Sequence, residues 1–302
     1  MEVFNLEPTL TVFTPTFNRA YTLHLCYEGL KRQTSKDFLW LIIDDGSTDS
    51  TKQLVEKWQK EAEFPIKYFY QQNAGMHGAH NTAYEIINTK LNVCIDSDDY
   101  LSDHAVEKII EFWRNYGNEK YSGIVALDAT EDHKIIGTKL PTNIKSSTLF
   151  NLYQKYGVKG DKKLIYRTDL TKNYPYPIFN NEKYVGLAYK YHMLDKDYEL
   201  LLMNEIVCHV NYLPDGSSLN MLKQYRNNPK GFSFYRKELM KLPFGSTTYK
   251  FRQAIHYVSS NLLMGNWRMF SETPTKLLTI TAIPFGLLLY LFIQLKTRAE
   301  SF

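Results

Sequence analysis

Residues 92–103 read NVCIDSDDYLSD, an apolar run, Val93-Cys94-Ile95, that empties at once into the carboxylates of Asp96, Asp98 and Asp99. Three acids within four residues repel one another, so folding alone gives no reason to gather them. Two explanations are open. In one, the acids solvate a turn that leads into the next helix, with Asp103 as its N-cap and Glu107 close behind. In the other, something strongly positive sits among them. On an extended strand end, residues two apart point the same way, so Asp96 and Asp98 converge while Ser97 turns aside. A hard divalent cation takes one or two such carboxylates and completes its shell from phosphate and water.

The flanks put that run in a series. Residues 10–14, 38–43, 66–70 and 91–95 read as strands, and 20–32, 48–63, 76–88 and 104–116 as amphipathic helices that alternate with them. Alternation of this kind predicts an α/β fold with right-handed crossovers and a mostly parallel sheet sandwiched by helices. Such sheets bind ligands beyond the carboxyl ends of their strands. The most polar punctuations fall there: PTFNR after the first strand, DDGSTD after the second, DSDD after the fourth. Further on, strands are expected at 123–127, 135–140 and 163–166 and helices at 147–156 and 184–194, with the loop NYPYPIFNNEK before the last. No internal repeat or glycine-rich phosphate loop is present.

Two other constellations carry chemistry. In IIDDGSTDST, residues 42–51, Gly46 permits a tight turn and Ser47 to Asp49 cap the following helix. Capping leaves Asp44 and Asp45 unexplained, and a carboxylate there can accept from a base N–H or a ribose hydroxyl. In QQNAGMHGAHN, residues 71–81, Gly75 and Gly78 allow close approach to a ligand, and His77, His80 and Asn81 supply donors. Taken alone, each histidine is more often a structural hydrogen-bonder than a ligand contact.

The order and spacing of these segments resemble the family 2 glycosyltransferases of the GT-A fold, a Rossmann-like mixed sheet. The motifs are Pro-x-Phe-Asn-Arg, Asp-Asp-Gly-Ser-Thr-Asp, Asn-x-Gly-x-x-x-Ala-x-Asn and Asp-x-Asp-Asp, within residues 9–128. FNNEKYVG, NEIVCHVNYLPDGSSLN and NNPKGF resemble a bacterial branch that builds surface polysaccharides. The resemblance implies an inverting transfer from a UDP-sugar to a lipid-linked, polyprenyl-type saccharide. It implies that Pro15, Phe17, Asn18 and Arg19 line the nucleotide pocket, together with His77, His80, Asn81 and Ser97. Asp45 would read the uracil with Asp44 in support, Asp96 would touch ribose or metal, and Asp98 would ligate Mn²⁺ or Mg²⁺ bridging the diphosphate. His80 stands where many relatives have an arginine. Glu182, in FNNEKYVG, is the expected catalytic base, with Asp161 and Asp169 behind it; its bland alternative is an ordinary helix N-terminal acid. Relatives often carry Pro-Glu where this chain has Gly186-Leu187.

The net charge of +4 hides an asymmetry: residues 1–220 carry 24 Lys/Arg against 29 Asp/Glu, and residues 221–302 carry 12 against 3. The expected division is therefore a catalytic domain, 1–220, with a nucleotide-sugar half to about 128 and an acceptor half from 129, followed by a basic helical extension. Cys26, Cys94 and Cys208 are odd in number and far apart, which suits buried reduced thiols. MEVFNLEPTL has no signal-peptide character, and the chemistry is expected in the cytoplasm. Residues 277–295 are nineteen residues without a charge, interrupted by Pro284 and Gly286 and flanked by Lys276, Lys296 and Arg298. With the basic, aromatic stretch from Gln224, this predicts attachment to the cytoplasmic face of an anionic membrane as a monotopic or re-entrant anchor, a single span being the runner-up. A nucleic-acid role for the basic tail leaves the acidic strand ends unexplained. The alternative from another class is a catalytically silent nucleotide-sugar-binding scaffold.

Overall fold

The computed structural model describes residues 8–213, 216 and 220–298. They form two compact units, one comprising the chain up to Pro175 with Asp197–Asn211, the other Tyr176–Lys196 with the chain from Tyr212 onward. The helical unit thus includes residues 176–196 as well as the extension expected from residue 221.

The first unit is built on strands β1 (Leu10–Thr16), β2 (Phe38–Asp44), β3 (Ile66–Tyr70) and β4 (Leu91–Cys94), with helices α1 (His24–Lys31), α2 (Thr51–Glu61) and α3 (Met76–Ile86) between them. Then come β5 (Tyr100–Leu101), α4 (Ala105–Tyr116), β6 (Tyr121–Ala129), β7 (Ser146–Ser147), α5 (Leu149–Gln154), β8 (Lys162–Arg167), α6 (Thr168–Thr171) and, after an excursion into the second unit, β9 (Glu199–His209). The sheet runs β3-β2-β1-β4-β8-β6-β9-β5, with β7 on β9. β1 to β4 are parallel, as the alternation predicts. β8 then enters antiparallel between β4 and β6, and β9 pairs parallel with β6, so the second half is mixed.

Burial explains the strand sequences. β2, FLWLIID, is buried at every position because helices cover both faces, so its apolar run is continuous rather than alternating. β3 lies at the sheet edge and is buried at none of its positions. An aromatic block joins the layers: Tyr27 of α1 stacks on Trp58 of α2 at 4.6 Å between ring centres, and Trp40 of β2 lies 5.7 Å from Trp58. Truncating a side chain such as Trp58 removes about 3–5 kcal/mol.

Two expectations are corrected here. Residues 135–140 form no strand. Ile135 makes a single bridge to Ala129, and β6 already has a neighbour on each side, so there is no edge to extend. Asn204 and Glu205 interrupt the apolar run of β9, and its register against β6 shifts at that stretch. Asp103 is not the N-cap of α4: His104 holds that position, and Asp103 pairs with Arg32 at 2.9 Å.

The second unit is helical: α7 (Ala188–Leu194), α8 (Met221–Asn227), α9 (Pro229–Met240), α10 (Thr247–Met264), α11 (Met269–Glu272), α12 (Lys276–Thr281) and α13 (Ile283–Arg298). Met240, Tyr257, Val258, Met269 and Ala282 are among its core residues. Among the described residues no helix is long and apolar enough to cross a membrane. Residues 277–295 are divided between α12 and α13 at Ala282. Pro214, Asp215, Ser217, Ser218 and Leu219 of the PDGSSLN segment lie outside the described residues.

Candidate active site

The strand order reverses at β1, which sends its next strand to one side and receives β4 on the other. In parallel α/β sheets the crevice beyond such a reversal is where ligands sit. Four expected segments end there. β1 carries Pro15 near its end and leads into Phe17, Asn18 and Arg19; β2 ends on Asp44 and leads into Asp45; β4 leads into Asp96, Ser97 and Asp98; and residues 71–75 follow β3.

Local chemistry locks these loops. Asn18 takes a left-handed backbone at φ 53°, tolerated by its short polar side chain. Its amide oxygen accepts from Thr48 N–H at 2.8 Å, and its own N–H donates to Ser47 Oγ at 2.9 Å, tying the β1 loop to the β2 loop. Asp49 accepts from Ala20 N–H and from both N–H and hydroxyl of Thr51. Those bonds draw its carboxyl below the usual range despite partial burial. Gly46 turns at φ 91°, where a side chain would press on Asn73.

The paired acids of β2 are anchors. Asp44 accepts from Ser47 N–H at 2.7 Å and from the Tyr68 hydroxyl at 2.6 Å; burial first, and then this bond, raise that phenol above its ordinary value. Asp45 accepts from Gln71 Nε2, Ala74 N–H and Gly75 N–H at 2.7–2.8 Å, holding the loop that opens α3. Both are buried, so their first contribution is to shape the crevice wall. His80 departs from the expected nucleotide contact. It is 1% exposed, edge-on to Phe13 at 5.1 Å, with Tyr84 Oη and Cys94 Sγ at its two ring nitrogens. An imidazole is too short to emerge from that position where an arginine would reach out. His77 is equally buried and Asn81 half-buried. Phe17 is exposed on the β1 loop, and the guanidinium of Arg19 bonds and stacks with Tyr21.

The acidic turn is pinned from below. Asp99 N–H donates to the Asp96 carbonyl at 3.0 Å. The thiol of Cys26 reaches the carbonyls of Asp96 and Asp99 at 3.2 and 3.1 Å, and Asn211 donates to the Asp98 carbonyl and, through its backbone, to the Asp99 carboxylate. Asp99 is therefore turned inward, whereas Asp96 is exposed and Asp98 half-buried. The three cysteines are free; burial pushes all three thiols up, so they act as donors and packing groups. Under the turn Lys163 of β8 lies 3.9 Å from Asp99 and 3.8 Å from Asp128 of β6, all three buried. Burial raises both carboxyls against the pull of the lysine. Burial opposes the lysine's charge as well, but Asp128 and its other neighbours outweigh it and hold the ammonium well above its ordinary value. One cation between two acids thus forms the floor of the turn.

No group of three His, Cys, Asp or Glu among the described residues is disposed to hold a metal by itself. Asp96 and Asp98 nevertheless fit one. They are two hard-oxygen donors, one exposed and one half-buried in the turn that follows β4, and one or two carboxylates are the partial set Mg²⁺ or Mn²⁺ uses when phosphates and water complete the shell.

The acids considered as proton acceptor separate clearly. Glu182 is 6% exposed, and its two carboxylate oxygens accept from Lys230 N–H at 2.9 Å and Gly231 N–H at 2.8 Å. It caps α9, a different helix from the one expected to follow it. Asp169 pairs with Arg167 at the opposite end of the strands, beside a cleft of about 680 Å³ next to Lys90 and Trp113. Asp161 is exposed just ahead of β8. Lys163, Asp128 and Asn211 were not foreseen; the legible signal was a lysine inside the apolar strand KKLIYR.

Comparison with known proteins agrees with this geometry. The teichoic acid poly(glycerol phosphate) polymerase of Staphylococcus epidermidis is 31% identical over 107 residues, 35% of this chain and 15% of that protein. The GalNAc(5)-diNAcBac-PP-undecaprenol beta-1,3-glucosyltransferase of Campylobacter jejuni is 32% identical over 119 residues, 39% of this chain and 37% of that one. The chain thus spans well under two thirds of these curated relatives. Among solved structures, S. aureus TarS 1–349 in complex with UDP-GlcNAc superposes with a TM-score of 0.59 at 18% identity, covering 91% of this chain and 79% of that one. The mannosyltransferase PcManGT from Pyrobaculum calidifontis in complex with GDP-Man and Mn²⁺ gives 0.54 at 15% identity, covering 93% and 74%. At these identities the superpositions establish the fold. The sequence model described as Glycosyl transferase family 2 matches residues 11–174, more than half of the 302, and spans every loop of the crevice. The chain belongs to glycosyl transferase family 2.

Proposed function

We propose that the protein is an inverting, metal-dependent glycosyltransferase that moves a sugar from a UDP-sugar to a lipid-linked saccharide in bacterial surface-polymer synthesis. The observation that carries this reading is the exposed Asp96 and half-buried Asp98, held at the end of β4 by Cys26 and Asn211, beside the strand-order reversal. The names of the relatives support the direction: one acts on an undecaprenol-linked glycan, another makes teichoic acid, and the TarS structure holds UDP-GlcNAc.

Asp98, with Asp96, would hold Mn²⁺ or Mg²⁺. When bound, the ion acts as a Lewis acid on the diphosphate as negative charge grows there. The chain's own groups do the rest. Phe17 offers an exposed aromatic face to the base, and the Asn18 lock keeps the β1 loop closed on the β2 loop. Asp45 orders residues 71–75 as one wall and would read the uracil from there. Arg19, next to Asn18 in the same loop, would line the nucleotide pocket. The acceptor hydroxyl attacks the face opposite the departing UDP and gives its proton to a carboxylate outside the Asp96–Asp98 pair.

Calorimetric titration with UDP tests this. Uptake should require Mn²⁺ or Mg²⁺ and should weaken at least about tenfold in Asp98→Ala. Incubation with UDP-sugars and metal should release UDP. Metal-independent UDP binding that Asp98→Ala leaves unchanged would refute the site. Metal-dependent binding without UDP release from any UDP-sugar, even with lipid-linked acceptors supplied, would favour the scaffold reading.

A further inference from the structure

Helix α13 is apolar around most of its circumference, and its larger apolar residues are the ones left exposed. Its packed face carries small or polar side chains: Ala282 just ahead of it, Gly286, and Thr297, with Ile293 as the large member. Gly286 is needed there because a Cβ would lie 2.5 Å from Val258 of α10. Thr297 receives the Arg226 guanidinium on its hydroxyl and carbonyl, at 3.2 and 3.1 Å. Its outward face carries the large apolar residues Phe285, Leu287, Leu288, Leu291, Phe292 and Leu295, of which Leu288 is 64% and Leu295 70% exposed. Leu277 and Ile280 of α12 are exposed as well. A helix on a water-facing surface buries its apolar stripe and exposes its polar one. A face of this extent needs a cover.

We infer that α12 and α13 form an in-plane anchor whose apolar face enters the headgroup and upper acyl region of an anionic phospholipid surface. Length argues against crossing: sixteen residues rise about 24 Å, short of the roughly 30 Å hydrocarbon core, and the last turn carries Lys296 and Arg298. Charge selects the partner. Lys276 opens α12, Lys296 closes the apolar run, and residues 221–302 hold 12 Lys/Arg against 3 Asp/Glu. Such flanks are drawn to anionic headgroups while the apolar face inserts. A second copy of the chain on the same face would bring two basic flanks together, which opposes association. The inference names a partner for the second unit and is independent of donor chemistry in the first.

The test uses full-length protein and flotation on vesicles of phosphatidylcholine alone or mixed with phosphatidylglycerol. The wild type should float with the mixed vesicles, bind the neutral ones several-fold less, and lose binding as salt rises. The double substitution L288E/F292E replaces two inserting side chains by charges and should cut binding by about tenfold or more. Its thermal midpoint and UDP release in solution should match the wild type. A wild type that stays with the soluble fraction, or a variant that floats as well as the wild type, overturns the inference. So does a wild-type dimer in ultracentrifugation that the variant converts to monomer without any flotation. Loss of UDP release in both proteins would bear on the donor site alone.

Discussion

Replacing Glu182 by Gln separates a structural acid from a catalytic one. Helix α9 begins with Pro229, which has no N–H, so the free donors of its first turn are the amides of Lys230 and Gly231. The first intrahelical bond is made by Phe232 N–H to the Asn228 carbonyl. The Asn228 side chain is occupied elsewhere, accepting from Lys183 N–H and donating to Gln224. Glu182 therefore satisfies both amides, one oxygen to each. In Glu182→Gln the side chain keeps one acceptor and turns an NH₂ toward the other donor, leaving a buried N–H unpaired and removing a charge from the positive end of the helix. A lost charge-assisted bond contributes roughly 1.5–3 kcal/mol and the helix dipole up to about 2 kcal/mol in a buried setting. With the side chain almost wholly enclosed, the expected loss is about 3 kcal/mol. For a chain of this size that lowers the melting midpoint by about 5 °C. Paired melts by circular dichroism and UDP-release kinetics well below the midpoint read both quantities. The structural role predicts the thermal shift with kcat within a few-fold of wild type. A melting curve identical to wild type, with kcat reduced about 10²–10⁴-fold, would refute the capping argument and return Glu182 to the chemistry.

Two other perturbations follow from the same kind of reasoning. Lys163→Met leaves Asp99 and Asp128 buried without their cation, and breaking a buried pair in this way costs about 3–5 kcal/mol. Denaturant unfolding should show that loss, metal-dependent UDP binding should weaken with it because Asp99 carries the turn, and adding Asp128→Asn should recover part of the stability. His256 is partly buried against Tyr225 and its pKa is lowered to about 4, by burial first and then by Arg236 and Arg252. Between about 6.5 and 4 the unfolded chain binds a proton that the folded one refuses, so stability falls as pH drops through that window. His256→Gln should flatten the slope of melting temperature against pH there; an unchanged slope would exclude this residue as its source.

Much of the catalytic fold was legible because its signals are local. The continuous apolar runs of β1, β2 and β4, the helical periods between them and the polar residues that end each strand are all set by short-range pattern, and a parallel sheet follows from their alternation. The extended-strand reading of Asp96 and Asp98 does not carry over in the same way: β4 ends at Cys94, and both acids lie in a turn closed by the Asp99 N–H on the Asp96 carbonyl. Long-range pairing decided the rest. No local pattern indicates that β9 inserts beside β6, that a lysine on β8 lies between an acid of the turn after β4 and an acid of β6, or that Cys26 and Asn211, far apart in the sequence, grip one turn. The same limit applies to Glu182, whose short-range context suits a catalytic acid equally well, and which became a cap only when a proline-headed helix far downstream brought two first-turn amides to its carboxylate. Sequence reports what a segment can bury or expose by itself. Which charges meet, and which are spent on holding loops rather than on chemistry, depends on contacts that exist only once the chain has closed on itself.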